Sequence, residues 1–515
     1  MSSLEPTPQP PGPVVEASAS GELGATGLDR ATLGRRARLG VLILGGRTAL
    51  QQLTVLAGTV YLARVLGPGE FGLFWIVQFA LSFFTLFGDA GFGAALIQKR
   101  EAATQQELSS VFWSQLLLVL LVTTVVFASA PWVVRFWPDV PVNAAWMLRA
   151  LSLSLLLTSL RTIPAILMER ELLFGRLSVI DLMLSVSFYG TAVALAHLGY
   201  GTSALVGGVL VQGIVGLVTA FALRPWLPGL YFDRQALRPI FKFGVVLQAK
   251  HIIGFANAAI MPLYAGRALG SYPLGLVTWS RNTSLFPVSI VEILSRVNFP
   301  LLSRLQHDPV AFARTLERTI QISATVTFLF VALLSGLAPS IVAVIYGPKW
   351  LPALPTLYVF TGAISFSFLV PIINGALDAI GKPRVMMLLG LVWTVLNWGA
   401  VTTAMQIRSS AFSFAIGFCT HVLVGNLAIL WVVKLVIPEA KLWRKMRGGL
   451  AAGLVTAVAA RVLLLPWANG VFSLTAAALL AIGVFVGSTA VFDRSALREA
   501  LLLLRNRKKS LTSSP

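Results

Sequence analysis

Fourteen apolar runs, each of about 20 residues, fill most of this 515-residue chain, and short basic or glycine-rich segments separate them. They begin near Leu39, Gly72, Leu108, Ala145, Ser178, Thr202, Ile240, Leu274, Thr319, Leu354, Val385, Ala411, Gly448 and Phe472. A helix of that length crosses a hydrocarbon core of roughly 30 Å. Barrel strands would instead alternate apolar and polar residues over about 10 positions, a pattern that does not dominate here. Charged residues make up only 12% of the chain, against roughly a quarter in soluble proteins. The sequence therefore predicts an all-α polytopic membrane protein with about fourteen transmembrane helices.

Charge placement orients these helices. Of the 40 Lys and Arg, 28 fall in the two tails and the even-numbered loops, and five in the odd loops: Arg64, Arg135, Arg267, Lys349 and Arg408. Basic loops face the cytoplasm, so both termini are expected inside. The formal net charge of +20 is then a topology signal, and no recognition motif points to nucleic acid. The terminal "RNRKK" suits anionic lipid headgroups. Residues 1–38 are rich in Pro, Ser and Gly and read as a disordered cytoplasmic tail. No short apolar core with a cleavage site precedes the first run, so no cleaved signal peptide is expected.

One turn is repeated. "RVLGPGEFGL" at Arg64 and "RALGSYPLGL" at Arg267 share Arg-x-Leu-Gly-x-x-x-x-Gly-Leu at an offset of 203 residues. Six runs intervene, so the two turns should face the same side, as in two parallel six-helix halves. In the first copy Pro68 and the glycines are expected to stop one helix, and Glu70 to complement the positive end of the next. The same offset matches Arg47 with Lys250 and Asp89 with Glu292, and "APWVV" at Ala130 returns as "APSIV" at Ala338. The expected division is 39–238 and 239–436 for the two lobes, 437–493 for two further helices, and 494–515 for a basic cytoplasmic tail.

Four charges inside apolar runs would cost on the order of 10 kcal/mol unless paired or hydrated. Arg47–Asp89 and Lys250–Glu292 as structural ion pairs is one account. A hydrated cavity between the halves is the other, favoured by Arg149, Arg161, Arg281 and Arg461, which lie in or near runs without obvious acidic partners. Counted at about 1.5 Å per residue, Arg47, Lys250, Asp89 and Glu292 share a cytoplasm-side layer. Its excess of cations suits an anionic headgroup. Arg47, Lys250, Arg281, Arg149 and Arg161 are thus candidate substrate ligands, with Asp89 and Glu292 as gating or coupling groups.

"RVLGPGEFGLF" followed by "FGDAGFGAALIQKRE" resembles the oligosaccharide (O-antigen or exopolysaccharide) flippases of the multidrug/oligosaccharidyl-lipid/polysaccharide exporter superfamily. The resemblance is sharpest from Arg47 to Trp137. It implies translocation of an undecaprenyl-diphosphate-linked oligosaccharide across the bacterial cytoplasmic membrane by alternating access. It also implies no cofactor, a pathway shared with a polysaccharide polymerase and glycosyltransferases, and two C-terminal helices beside a lipid-tail groove. Arg461 departs from that pattern.

Other motifs are weaker. "GFGAAL" at Gly91 lacks the strand that a dinucleotide fingerprint needs. Gly449-x-x-x-Gly453 suits packing within the chain better than dimerisation. His251, beside Lys250, could line a pore or pack, while His197, His307 and His421 have no metal-site spacing. Glu169 and Glu171 read as a solvated face, and Cys419 as a small core residue. Two competing functions are a cation-coupled multidrug exporter, which needs acids in its lumen, and a membrane transferase or polymerase, which needs a long catalytic loop. A lipid II flippase is a further alternative. No enzyme activity is expected.

Overall fold

The computed structural model describes residues 50–88, 93, 96–97, 103–233, 252 and 254–494. Among them every regular element is helical. The first six helices are α1 (50–65), α2 (Pro68–Gly88), α3 (Gln105–Val134), α4 (Ala145–Arg170), α5 (Phe174–His197) and α6 (Ser203–Leu223). Then come α7 (254–269), α8 (Ser271–Arg304), α9 (Pro309–Ser340), the broken pair α10 (Leu354–Ile364) and α11 (Leu369–Ala379), α12 (Pro383–Ile407) and α13 (Ala411–Val436). Two more follow, α14 (Leu442–Ala459) and α15 (Val471–Phe492).

Eleven helical segments among the described residues are long and apolar enough to cross a membrane. Their backbone groups bond within each helix, the solution that hydrocarbon demands. Many large aliphatic side chains point outward: Leu117 on α3 is 69% exposed and Val395 on α12 is 72% exposed. The chain is a multi-pass membrane protein.

Local chemistry sets the boundaries. Thr104 caps α3 reciprocally, accepting from Glu107 N at 3.2 Å while the Glu107 carboxylate accepts from Thr104 N at 2.9 Å. Asp308 accepts from Val310 N and Ala311 N ahead of α9, with Pro309 in the first turn. Before α2 the Glu70 carboxylate accepts from Gly67 N at 2.6 Å, which satisfies a donor at the positive helix end.

The largest core cluster joins both halves of the chain. Leu62, Val77, Val126 and Leu148 pack with Ile260, Val277, Phe360 and Phe414. The helices α2 and α8 cross directly, and Phe79 of α2 stacks on Phe255 of α7 with ring centroids 5.1 Å apart. Packed against α9, α14 uses the expected small residues: Gly449 and Gly453 both lie against Phe328. Buried Cys419 donates to Val359 O at 3.3 Å, as a core residue would.

Candidate functional site

A cavity of about 1040 Å³ opens between α1, α2 and α5 on one side and α8, α9 and α15 on the other. Its walls are largely apolar, with Phe71, Trp75, Phe286, Phe330 and Leu334 among them. A polar strip crosses it: Gln52 and Thr59 of α1, Tyr189 of α5, and Asn282, Thr283, Ser284 and Ser289 of α8. Thr59 and Tyr189 share a hydroxyl–hydroxyl bond of 3.0 Å, and Ser284 bonds Thr361 at 3.0 Å. Among the described lining residues Arg64 is the single charged one, and none is acidic. Apolar walls with a few convergent polar groups suit an amphiphile with a polar head.

Arg64 ends α1. Its Nε donates to Ile345 O at 2.6 Å and its Nη2 to Val344 O. Those carbonyls lie in the π-helical turn Ile341–Tyr346 that closes α9, where backbone acceptors outrun their intrahelical donors. The cation therefore sits at the negative end of a helix. Beside it Lys349 Nζ donates to Val65 O at 2.9 Å and Trp350 Nε1 to Ala63 O at 2.7 Å.

The described candidate residues are dispersed. Arg47, Asp89, Lys250 and His251 lie outside the described residues. Arg149 does not line the cavity; its Nε donates to Phe127 O of α3 at 3.0 Å. Arg161 lies within the first six helices beside Gly216 and in the field of Asp181, so it has the acidic neighbour that sequence alone did not reveal. Arg281 turns away from the cavity and stands 5.6 Å from the centre of the Phe418 ring. Glu292 is exposed on α8, one turn beyond cavity-lining Ser289. Arg461 finds Tyr358, donating to its hydroxyl at 2.8 Å.

Sequence reasoning missed Arg64, which it counted as a basic residue of an odd loop, and the polar run on α8. Both carried a signal. Arg64 belongs to the repeated motif, and "SRNTS" interrupts an otherwise apolar helix. At the opposite end of the molecule Glu171 holds Arg224 in a salt bridge of 2.8 Å. Both side chains are partly exposed, as expected for a solvated face.

Residues 61–355 match the family model described as "Polysaccharide biosynthesis protein". The chain is 25% identical over 359 residues to teichuronic acid biosynthesis protein TuaB of Bacillus subtilis, covering 67% of this chain and 72% of that one. It is 27% identical over 458 residues to succinoglycan biosynthesis transport protein ExoT of Rhizobium meliloti, covering 87% and 91%. Its fold matches the lipid II flippase MurJ in an inward closed conformation with a TM-score of 0.69 at 15% identity, covering 88% of this chain and 99% of that one. The family match takes in α2 to α9 and most of the cavity wall. This chain belongs to the polysaccharide biosynthesis protein family.

Proposed function

We propose that the protein is a flippase that carries an undecaprenyl-diphosphate-linked oligosaccharide from the cytoplasmic to the outer leaflet by alternating access. The observation that carries this reading is the cavity between the first six helices and the next. It is roomy, apolar with a polar strip, and cationic in its only described charge. A lipid diphosphate glycan has matching parts: acyl chain, anion and hydroxyl-rich sugars. The names of TuaB and ExoT, a teichuronic acid biosynthesis protein and a succinoglycan biosynthesis transport protein, support the same class.

In this reading fourteen helices cross the cytoplasmic membrane, both termini are cytoplasmic, and 39–238 and 239–436 are the two lobes that rock. Arg47 and Lys250 receive the diphosphate during loading, and Asp89 and Glu292 gate or couple the cycle. An apolar groove of about 530 Å³ on α14 and the turn that follows it, lined by Leu454, Val458 and Leu463 among others, suits the acyl chain. The chain would work beside a polymerase and glycosyltransferases, needing no cofactor of its own.

Purified protein in proteoliposomes tests this. A fluorescent undecaprenyl-diphosphate disaccharide should cross at least ten-fold faster than in protein-free vesicles, read by quencher accessibility. No acceleration would overturn the reading. Faster movement of lipid II than of other glycans would favour the peptidoglycan precursor as substrate, and transport of cationic dyes alone would favour a drug exporter.

A further inference from the structure

The two copies of Arg-x-Leu-Gly-x-x-x-x-Gly-Leu touch each other. A Cβ built on Gly72 would collide with the carbonyl of Ser271, and one built on Gly275 with the carbonyl of Pro68. Gly72 and Gly275 are equivalent positions at the 203-residue offset, as are Pro68 and Ser271. The starts of α2 and α8 thus cross backbone to backbone through their matched glycines, an approach that no side chain would allow.

The arginines of the motif reach past this crossing in matched directions. Arg64 donates to the carbonyls of Val344 and Ile345, beyond the end of α9 proper. Arg267 Nη1 donates to Phe136 O, just past the end of α3, at 3.0 Å. "APWVV" and "APSIV" stand at an offset of 208, and so do Phe136 and Val344. A buried tryptophan follows in each case. Trp350 Nε1 donates to Ala63 O of α1 at 2.7 Å, and Trp137 Nε1 to Pro262 O of α7 at 2.9 Å. Each half therefore grips the other with the same three elements.

The grips differ in one respect. Arg267 also lies over the Phe136 ring, 4.3 Å from its centre, and does not line the cavity. Arg64 faces the cavity and is held by neutral carbonyls. A phosphate group offers a guanidinium paired, charge-assisted bonds, roughly twice as strong as neutral ones. We propose that the two turns form an interlock that holds the halves together at this end, and that Arg64 is its releasable member. The diphosphate of a lipid in the cavity takes over the Arg64 guanidinium and frees the carbonyls of α9. This gives the headgroup a higher affinity for the unlocked state than for the locked one, the requirement for driving a conformational change. The ligand half of the proposal rests on the flippase reading above, whereas the interlock half does not.

Gly69 supplies the probe. A Cβ built there lies 3.9 Å from Tyr272 Cβ, within the range of a disulfide. The experiment uses the full chain carrying Gly69→Cys, Tyr272→Cys and Cys419→Ser in nanodiscs, with crosslink yield under mild oxidation as readout. Undecaprenyl diphosphate should lower the yield several-fold. Arg64→Gln should lower the resting yield and remove the response. Arg267→Gln should lower the resting yield and keep the response. Thermal melting of each variant separates unlocking from misfolding, and Arg64→Lys, which cannot span both carbonyls, serves as a milder second variant.

Lipid binding is measured separately by native mass spectrometry. Lipid bound with no change in crosslinking would overturn the release of Arg64. Lipid not bound would count against the flippase reading, and with it the ligand half. An equal response to inorganic pyrophosphate would support phosphate recognition and overturn the lipid as its required carrier. A resting yield unaffected by Arg64→Gln and Arg64→Lys would overturn the interlock.

Discussion

The α1–α2 turn and the α7–α8 turn share a motif but obtain their acid differently. In the first, Glu70 caps its own helix through Gly67 N. In the second, Asp139 reaches across from the loop after α3, and its Oδ2 accepts from Ser271 N at 2.9 Å and Ser271 Oγ at 3.0 Å. Gly270 there takes φ of +86°, which leaves that cap to glycine. One turn is closed from within, the other by the opposite half. Two turns that share one motif can therefore serve as a self-supporting turn and a docked one. Any motion that parts the halves strips the second turn of its cap and leaves the first intact.

The contact that the two turns share should be the most sensitive. Gly72→Val places a branched side chain against the Ser271 carbonyl, where only backbone could give way. Overpacking of this kind costs about 1–3 kcal/mol. A fall in melting temperature together with loss of translocation is expected, and Gly275→Val should match it. Unequal effects would break the equivalence of the two copies.

Asp139→Ala should come next. It removes two bonds to a charged acceptor, worth about 1.5–3 kcal/mol each in favourable settings, less here because Ser271 is partly exposed. The resting Gly69–Tyr272 crosslink should fall. Glu70→Gln, by contrast, keeps an acceptor for Gly67 N and loses only charge at the helix end, roughly 0.3–1 kcal/mol. It should lower the melting temperature slightly and leave the crosslink alone. Equal loss of crosslinking from the two variants would erase the distinction between the turns. Smallest of all is Gly69→Ala, whose added methyl meets only ordinary contact with Tyr272, so no change in melting or translocation is expected.

The helices were legible because apolar runs and caps are local. The run expected from Ala145 begins as α4 at that residue, and the run expected from Ala411 begins as α13 there. The repeat was legible too, but an offset says which residues correspond, not that they meet. Arg64 and Arg267 read as basic residues of odd loops, since their acceptors are backbone carbonyls on distant helices and have no sequence signature. The same holds for Arg149 and Phe127 O. Arg461 is harder still, because Tyr358 looks like any other aromatic residue of an apolar helix until α10 and the turn after α14 are placed together.

Locking the two turns together tests the account most directly. In proteoliposomes the Gly69→Cys/Tyr272→Cys/Cys419→Ser protein should translocate the fluorescent lipid-linked glycan when reduced. Oxidation should stop transport in proportion to the fraction crosslinked, and reductant should restore it. Full translocation by quantitatively crosslinked protein would contradict the claim that these halves must part at this end for substrate to cross.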